Sequence, residues 1–261
     1  MKELETNEIE TYPNLVEQVH KAVLTAISEG RLRPGARIIQ EGVARVLGVS
    51  RQPVQQALLL LKNQGVLLDA PGRGLQVAPL DLGYVRNMYD MRAVVEGLAS
   101  RRAASLNATR AKKEGPAYIQ AGMDAVAEQS YRKMIVADMA LHQFIYDLAE
   151  NPLIPVAMDA HWITAQRVMG QVLNKEEKPR NIWTQHADIL EAIGSGNEEQ
   201  AEKLARLHIS AAADFMINCL EESQFSASLK QDQDAHVLMA VESDTRDSKR
   251  KKLAQIDLAA H

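Results

Sequence analysis

A chain of 261 residues has room for two modest domains or one large one. Apolar residues supply 46% but aromatics only 4%, and the bias toward Leu, Ala, Met and Val favours helix packing over sheets. No apolar run approaches the roughly 18 residues of a membrane span. The acidic N-terminus lacks the plan of a signal peptide, and a lone cysteine, Cys219, excludes an internal disulfide. The expected setting is the cytoplasm, without membrane association. Net charge is −4, which on average disfavours nucleic acid. Between 14 and 80, however, Lys21, Arg31, Arg33, Arg37, Arg45, Arg51, Lys62 and Arg73 outnumber Glu17, Glu29, Glu41 and Asp69. A local basic surface of this kind is what a phosphate backbone requires.

Four expected regions follow in chain order: a flexible 1–13, a compact 14–80, an all-helical 81–227 and a disordered tail over 228–261. Leu15, Val19, Ala22, Val23 and Ile27 recur with a helical period, and Gly30 and Pro34-Gly35 end that helix. Arg37-Ile38-Ile39 fits a short strand. Gln40 to Leu47 reads as a short helix stopped by Gly48, and Ser50 is a good cap for a third helix reaching about Asn63. Pro53 falls in its first turn, where its missing N–H costs nothing. Gly65 ends that helix. Val66-Leu67-Leu68 and Leu75-Gln76-Val77 then flank a turn-rich tip carrying Arg73, the pattern of a two-stranded hairpin.

From Asp81, a natural cap, strand signals vanish. A first helix there shows a stripe of Val85, Met88, Met91, Val95 and Leu98. Helical patterns follow at about 108–129, 132–150, 153–174, 178–193 and 197–225. Residues 194–197 form the turn between the last two. The tail holds a basic run at 248–252, for which a phosphate-binding arm is the alternative to plain disorder.

Two helices joined through Gly48-Val49-Ser50 match a helix-turn-helix. Val54, Ala57, Leu58 and Leu61 hold the second helix down, leaving Ser50, Arg51, Gln52 and Gln55 at its exposed N-terminal end. That end meets base edges and phosphates in groove reading. Arg forks onto guanine and Gln onto adenine. Such shapes also serve as plain packing units, but the hairpin and the local charge favour DNA. Arg73 at the tip, with Arg33 and Arg45, completes the set of expected DNA contacts.

These residues carry a resemblance. Gly30-Arg-Leu-Arg-Pro-Gly35, Leu47-Gly-Val-Ser-Arg-Gln-Pro-Val54, Ala57-Leu58, Gly65 and Gly72-Arg-Gly74 resemble the winged helix-turn-helix of GntR-type transcription regulators, over about 14–80. The resemblance implies double-stranded operator DNA as partner. Glu41 and Gln55 depart from it, standing where such proteins commonly carry Arg, so the operator sequence does not carry over.

Asp138 and His142 are four apart, on one face of a helix, a pair suited to a divalent metal. His186 and His208 lie on either side of the turn at 194–197, at distances that bring them level on facing helices. Three imidazoles and a carboxylate suit Zn²⁺, Ni²⁺, Mn²⁺ or Fe²⁺ with positions left open. His20, His161, His236 and His261 do not fit this set. Arg92 reads either as an exposed pair with Glu96 or as a group that reaches a bundle cavity, and Arg167 is expected at the surface.

The same four ligand candidates, with Asp90-Met-Arg92-Ala-Val-Val-Glu96, resemble the FCD domain of the FadR branch of GntR regulators over about 81–225. That resemblance implies an antiparallel helical bundle, a homodimer, and a small carboxylate effector near a metal, for which Arg92 is the candidate grip and Arg167 a weaker one. The fold class expected is mainly α, a winged helix-turn-helix followed by an all-helical bundle. The function expected is operator binding, by a repressor, controlled by a small organic acid, and not an enzyme. A regulator for which the ion itself is the signal and a metal-dependent hydrolase are the competing readings.

Overall fold

The structure, a computed structural model, describes residues 15–173 and 182–223. The expected N-terminal segment 1–13 and the tail over 228–261, with its basic run, His236 and His261, lie outside the described residues.

The N-terminal part comprises α1 (Leu15–Ser28), β1 (Arg37–Ile38), α2 (Gln40–Leu47), α3 (Arg51–Asn63), β2 (Leu67–Asp69) and β3 (Leu75–Val77). Its core joins Val19, Val23 and Ile27 of α1 to Val54, Leu58 and Leu61 of α3, with Val66, Leu67 and Val77 beneath the hairpin. The four α3 residues expected to pack, Val54, Ala57, Leu58 and Leu61, are all essentially buried. Gly48 closes α2 with φ +67°, a left-handed conformation that favours glycine, and its N–H donates to the Ala44 carbonyl. The expected two-stranded hairpin is a three-stranded antiparallel sheet, because β1 pairs with β3, which takes the central place. Arg37 faces Gln76 and Leu67 faces Val77. Arg37 also donates through Nη2 to the Pro71 carbonyl at 2.5 Å, pinning the hairpin tip.

Ser50 occupies the cap position of α3, but its side chain makes no capping bond. The amide that such a cap often addresses, three residues on, belongs to Pro53 and carries no hydrogen.

The helical part comprises α4 (Leu82–Ala127), α5 (Tyr131–Leu148), α6 (Leu153–Leu173) and α7 (Ile182–Gly194). A further helix, α8, runs from 198 through 217. Past Ile217 begins a second unit, described only over 218–223, which is helical. Among the described residues no helix is long and apolar enough to cross a membrane. Asp81 caps α4 as expected, accepting from the Tyr84 amide at 3.0 Å.

The helix expected from Asp81 and the one expected at about 108–129 are one long helix with a kink. Asn107 leaves helical geometry (φ −137°, ψ 32°), and its side-chain amide donates to the Leu148 carbonyl at 2.8 Å and to Glu150 at 2.9 Å. The chain bends without stopping. Asn197 caps α8 by accepting from the Gln200 amide, and Gly196 (φ +73°) supplies the α7–α8 turn.

The stripe expected on α4 needs correction. Val85 and Met88 are buried, but Met91 and Leu98 are exposed. The inward face continues through Tyr89, Arg92 and Glu96 instead. An apolar period finds the apolar side of a helix, and here Met91, Val94 and Leu98 face outward while the charged Arg92 and Glu96 face inward.

Helix α6 joins the two parts. Ile163 packs against the N-terminal core, and Arg167 donates to the Ala78 carbonyl. Gly170 lies so close to α1 that a Cβ there would stand 1.7 Å from the Ser28 carbonyl oxygen. Arg167 is therefore not at the surface, as expected from the sequence, but 4% exposed.

Candidate metal centre and nucleic-acid interface

Helices α5, α7 and α8 each turn a histidine inward. His142, His186 and His208 are buried, and one ring nitrogen from each lies within 4.8 Å of the others. His186 Nε2 is 3.0 Å from His208 Nε2. Asp138 Oδ1 stands 3.6 Å from His186 Nε2 and 3.9 Å from His142 Nε2. All four residues singled out by spacing thus meet in one place.

Neighbouring groups fix the ring orientations. His142 Nδ1 donates to Glu96 Oε2 at 2.9 Å, and His208 Nδ1 donates to Gln185 Oε1 at 2.9 Å. With the proton held on Nδ1, each ring turns a lone pair on Nε2 toward the centre, the arrangement that outer-sphere acceptors impose on metal ligands. His142 Nε2 is buried with no hydrogen-bond partner, and so is His186 Nδ1. Buried polar atoms without partners are rare in folded proteins. Burial, with His142 nearby, pushes His208 down to about 3. Burial, with His208 and His142, pushes His186 well below its ordinary value. Imidazoles with converging ring nitrogens, two of them (His186 and His208) held neutral by burial, are the donor set a divalent cation needs. The residues present fit the group.

Glu96 ties this cluster to Arg92. Its carboxylate accepts from Arg92 Nε at 3.0 Å and from the Tyr146 hydroxyl at 2.6 Å, besides His142. Burial alone raises a carboxyl, but His142, Arg92 and these hydrogen bonds hold Glu96 down at about 2. Arg92 is 3% exposed, so the reading of it as an exposed pair is wrong. Its guanidinium lies over the Trp162 ring, 4.6 Å from the centroid. Sequence reasoning missed Tyr146, Trp162 and Gln185. Only Tyr146 carried a signal, continuing the 138–142 face by another four residues. His20 and His161 stand apart, beside Gln64 and Tyr84 respectively.

At the other end of the chain Arg33, Arg45, Ser50, Arg51, Gln52, Gln55 and Arg73 are all exposed. Arg51 Nη2 sits 2.9 Å from Glu41 Oε1, with both side chains mostly in solvent. The acidic departure at 41 therefore bears directly on the arginine expected to read bases.

Comparison with known proteins agrees with both halves. Residues 15–77 match the family model described as bacterial regulatory proteins, gntR family, and residues 87–211 match the FCD domain. The transcriptional repressor RspR of Escherichia coli is 23% identical over 207 residues, covering 79% of this chain and 91% of the relative. A probable D-xylose utilization operon repressor of Paenarthrobacter nicotinovorans is 27% identical over 202 residues, covering 77% and 88%. The solved structure of E. coli McbR/YncC superposes with a TM-score of 0.69 at 20% identity, over 78% of this chain and 97% of that one. These relatives are regulators rather than enzymes. The chain belongs to the GntR family of transcription regulators, with an FCD domain behind its winged helix-turn-helix.

Proposed function

We propose that this regulator represses transcription from the cytoplasm, and that a small organic acid bound beside a divalent metal in the FCD domain controls its grip on operator DNA. The observation that carries the reading is the buried, unpartnered Nε2 of His142, facing His186 and His208. Asp138, His142, His186 and His208 would hold Zn²⁺, Ni²⁺, Mn²⁺ or Fe²⁺. Such an ion supplies a positive centre for an effector carboxylate. Arg92 offers a second grip: its bond to Glu96 uses Nε, so the Nη pair is the part suited to a carboxylate.

On the DNA side, Arg51, Gln52 and Gln55 are assigned to base edges, and Ser50, Arg33, Arg45 and Arg73 to the backbone. A single winged helix has a small contact surface, so specificity requires a homodimer on a two-fold site. Met91, Val94 and Leu98, exposed on α4, support the bundle as the dimerising part.

The test is elemental analysis of gently purified protein, followed by gel shifts with operator fragments and a panel of small acids. Close to one divalent ion per chain is expected. His186→Ala should lose the ion, still bind operator and no longer respond to acid. Absence of bound metal, or an unchanged acid response in His186→Ala, overturns the scheme. Operator release by the ion alone would instead make the metal the signal.

A further inference from the structure

Among the described residues Arg167 is a buried cation without a counter-charge. It is 4% exposed on α6. Its Nη2 donates to the Ala78 carbonyl, and its Nε is buried with no hydrogen-bond partner. No carboxylate pairs with it among the described residues. Burial pushes it down to about 10, so it remains charged at neutral pH. An uncompensated buried charge is strongly unfavourable, and one backbone carbonyl answers only part of the demand.

Arg167 also lines a cavity of about 360 Å³, set between the end of α3, the 79–81 connection and α6. Gln64 and Thr164 give the cavity polar groups, and Leu80, Tyr84 and Val85 give it apolar walls. Gln64 Oε1 is taken by His20, which directs the amide N–H₂ of Gln64 to other partners. Asp81, the carboxylate on the rim, is occupied as the cap of the Tyr84 amide.

We propose that this cavity is a second ligand site, separate from the histidine cluster, for a small oxyanion (a carboxylate or a phosphate) gripped by Arg167. Arg is suited to that task because its planar fork meets two oxygens at once. The apolar walls favour an anion with a short hydrocarbon part. Gln64 and Gly65 directly follow the recognition helix α3, so an occupant touches the end of that helix and the connection to the bundle together. An oxygen that draws Arg167 from the Ala78 carbonyl would loosen one of the bonds tying the DNA-binding part to α6. The site needs no metal, and so stands apart from the function proposed above.

The test is calorimetric titration of the full chain, stripped of metal by chelator, with inorganic phosphate in one arm and butyrate in the other. Saturable binding of one anion per chain is expected in at least one arm, and the arm that saturates identifies the chemistry. Binding should weaken about tenfold or more in Arg167→Gln and persist in His186→Ala. No saturable binding in either arm overturns the proposal. So does equal binding by Arg167→Gln, or loss of binding in His186→Ala, which would put the anion at the histidines. Should Arg167→Gln fail to fold, Thr164→Trp fills the cavity while leaving the Arg167 bond in place. Abolished binding there upholds the site, and unchanged binding overturns it.

Discussion

His142 Nδ1 donates to Glu96 Oε2 at 2.9 Å across 46 residues of sequence, and that one bond aims the opposite ring nitrogen at His186 and His208. Glu96 meanwhile accepts from Arg92. One carboxylate thus orients both a ring of the histidine cluster and the Arg92 guanidinium. Replacing it with Gln removes the charge that balances Arg92 and weakens the hold on His142. Zinc affinity of Glu96→Gln should fall about 10–100-fold. Stability should fall about 3–5 kcal/mol, since a buried arginine is left uncompensated. Competition against a chromophoric chelator reads the first and urea unfolding the second. A variant that binds zinc like the wild type would remove Glu96 from the site.

The Arg51–Glu41 pair leads to a prediction in the opposite direction. The pair is solvent-exposed, so losing it should change stability by only about 0–1 kcal/mol. On DNA, Glu41 repels phosphate and competes for Arg51. Glu41→Ala should therefore tighten operator binding and raise the salt slope by about 1 as Arg51 gains a phosphate or base partner. Arg51→Ala should weaken specific binding by about 1–3 kcal/mol. Gel shifts at several salt concentrations check both. Equal binding by Glu41→Ala and the wild type would mean that Arg51 is held for other work.

What the sequence discloses depends on how far apart the interacting residues lie. The turn at Gly48, the packing side of α3 and the hairpin around Arg73 are local patterns, and each is found where its spacing indicates. The four cluster residues are legible too, because helical period and distance from a turn locate them. The partners of Glu96 are not, since His142 and Tyr146 stand 46 and 50 residues away. Nor is the burial of Arg92 and Arg167, where charge normally signals solvent. The same inversion hid the inward face of α4 behind Met91 and Leu98.

Those outward residues define a test of assembly. Met91, Val94 and Leu98 lie three and four residues apart on α4, along one exposed apolar stripe, with Val94 51% exposed. A glutamate at the centre of a dimer contact introduces an unpaired charge into each copy. Val94→Glu should convert a dimer at micromolar concentration into a monomer, with helix content unchanged, as read by light scattering and circular dichroism. Operator affinity should drop with it, because two recognition helices no longer bind as a unit. A wild-type monomer, or a dimer unaffected by Val94→Glu, excludes this face.

Helix α6 touches both the histidine cluster and the DNA-binding part, with Gly170 pressed against α1. Trp162 lies at the histidine cluster, under Arg92 and 5.9 Å from the His142 ring by centroids. Ile163, Arg167 and Gly170 follow at helical spacing and meet the DNA-binding part. At Gly170 the opposing atom is the backbone oxygen of Ser28, 1.7 Å from where a Cβ would stand. A flexible side chain could turn aside, but a helix backbone has to move as a body. Gly170→Ala should therefore pry α1 from α6 at a cost of about 1–3 kcal/mol or more. The metal cluster should survive, since its ligands sit on α5, α7 and α8. Thermal unfolding should separate into two transitions, zinc binding should remain, and operator binding should persist while its response to an effector is lost. A single transition at the wild-type temperature would show that α1 and α6 do not pack as closely as Gly170 and Ser28 require.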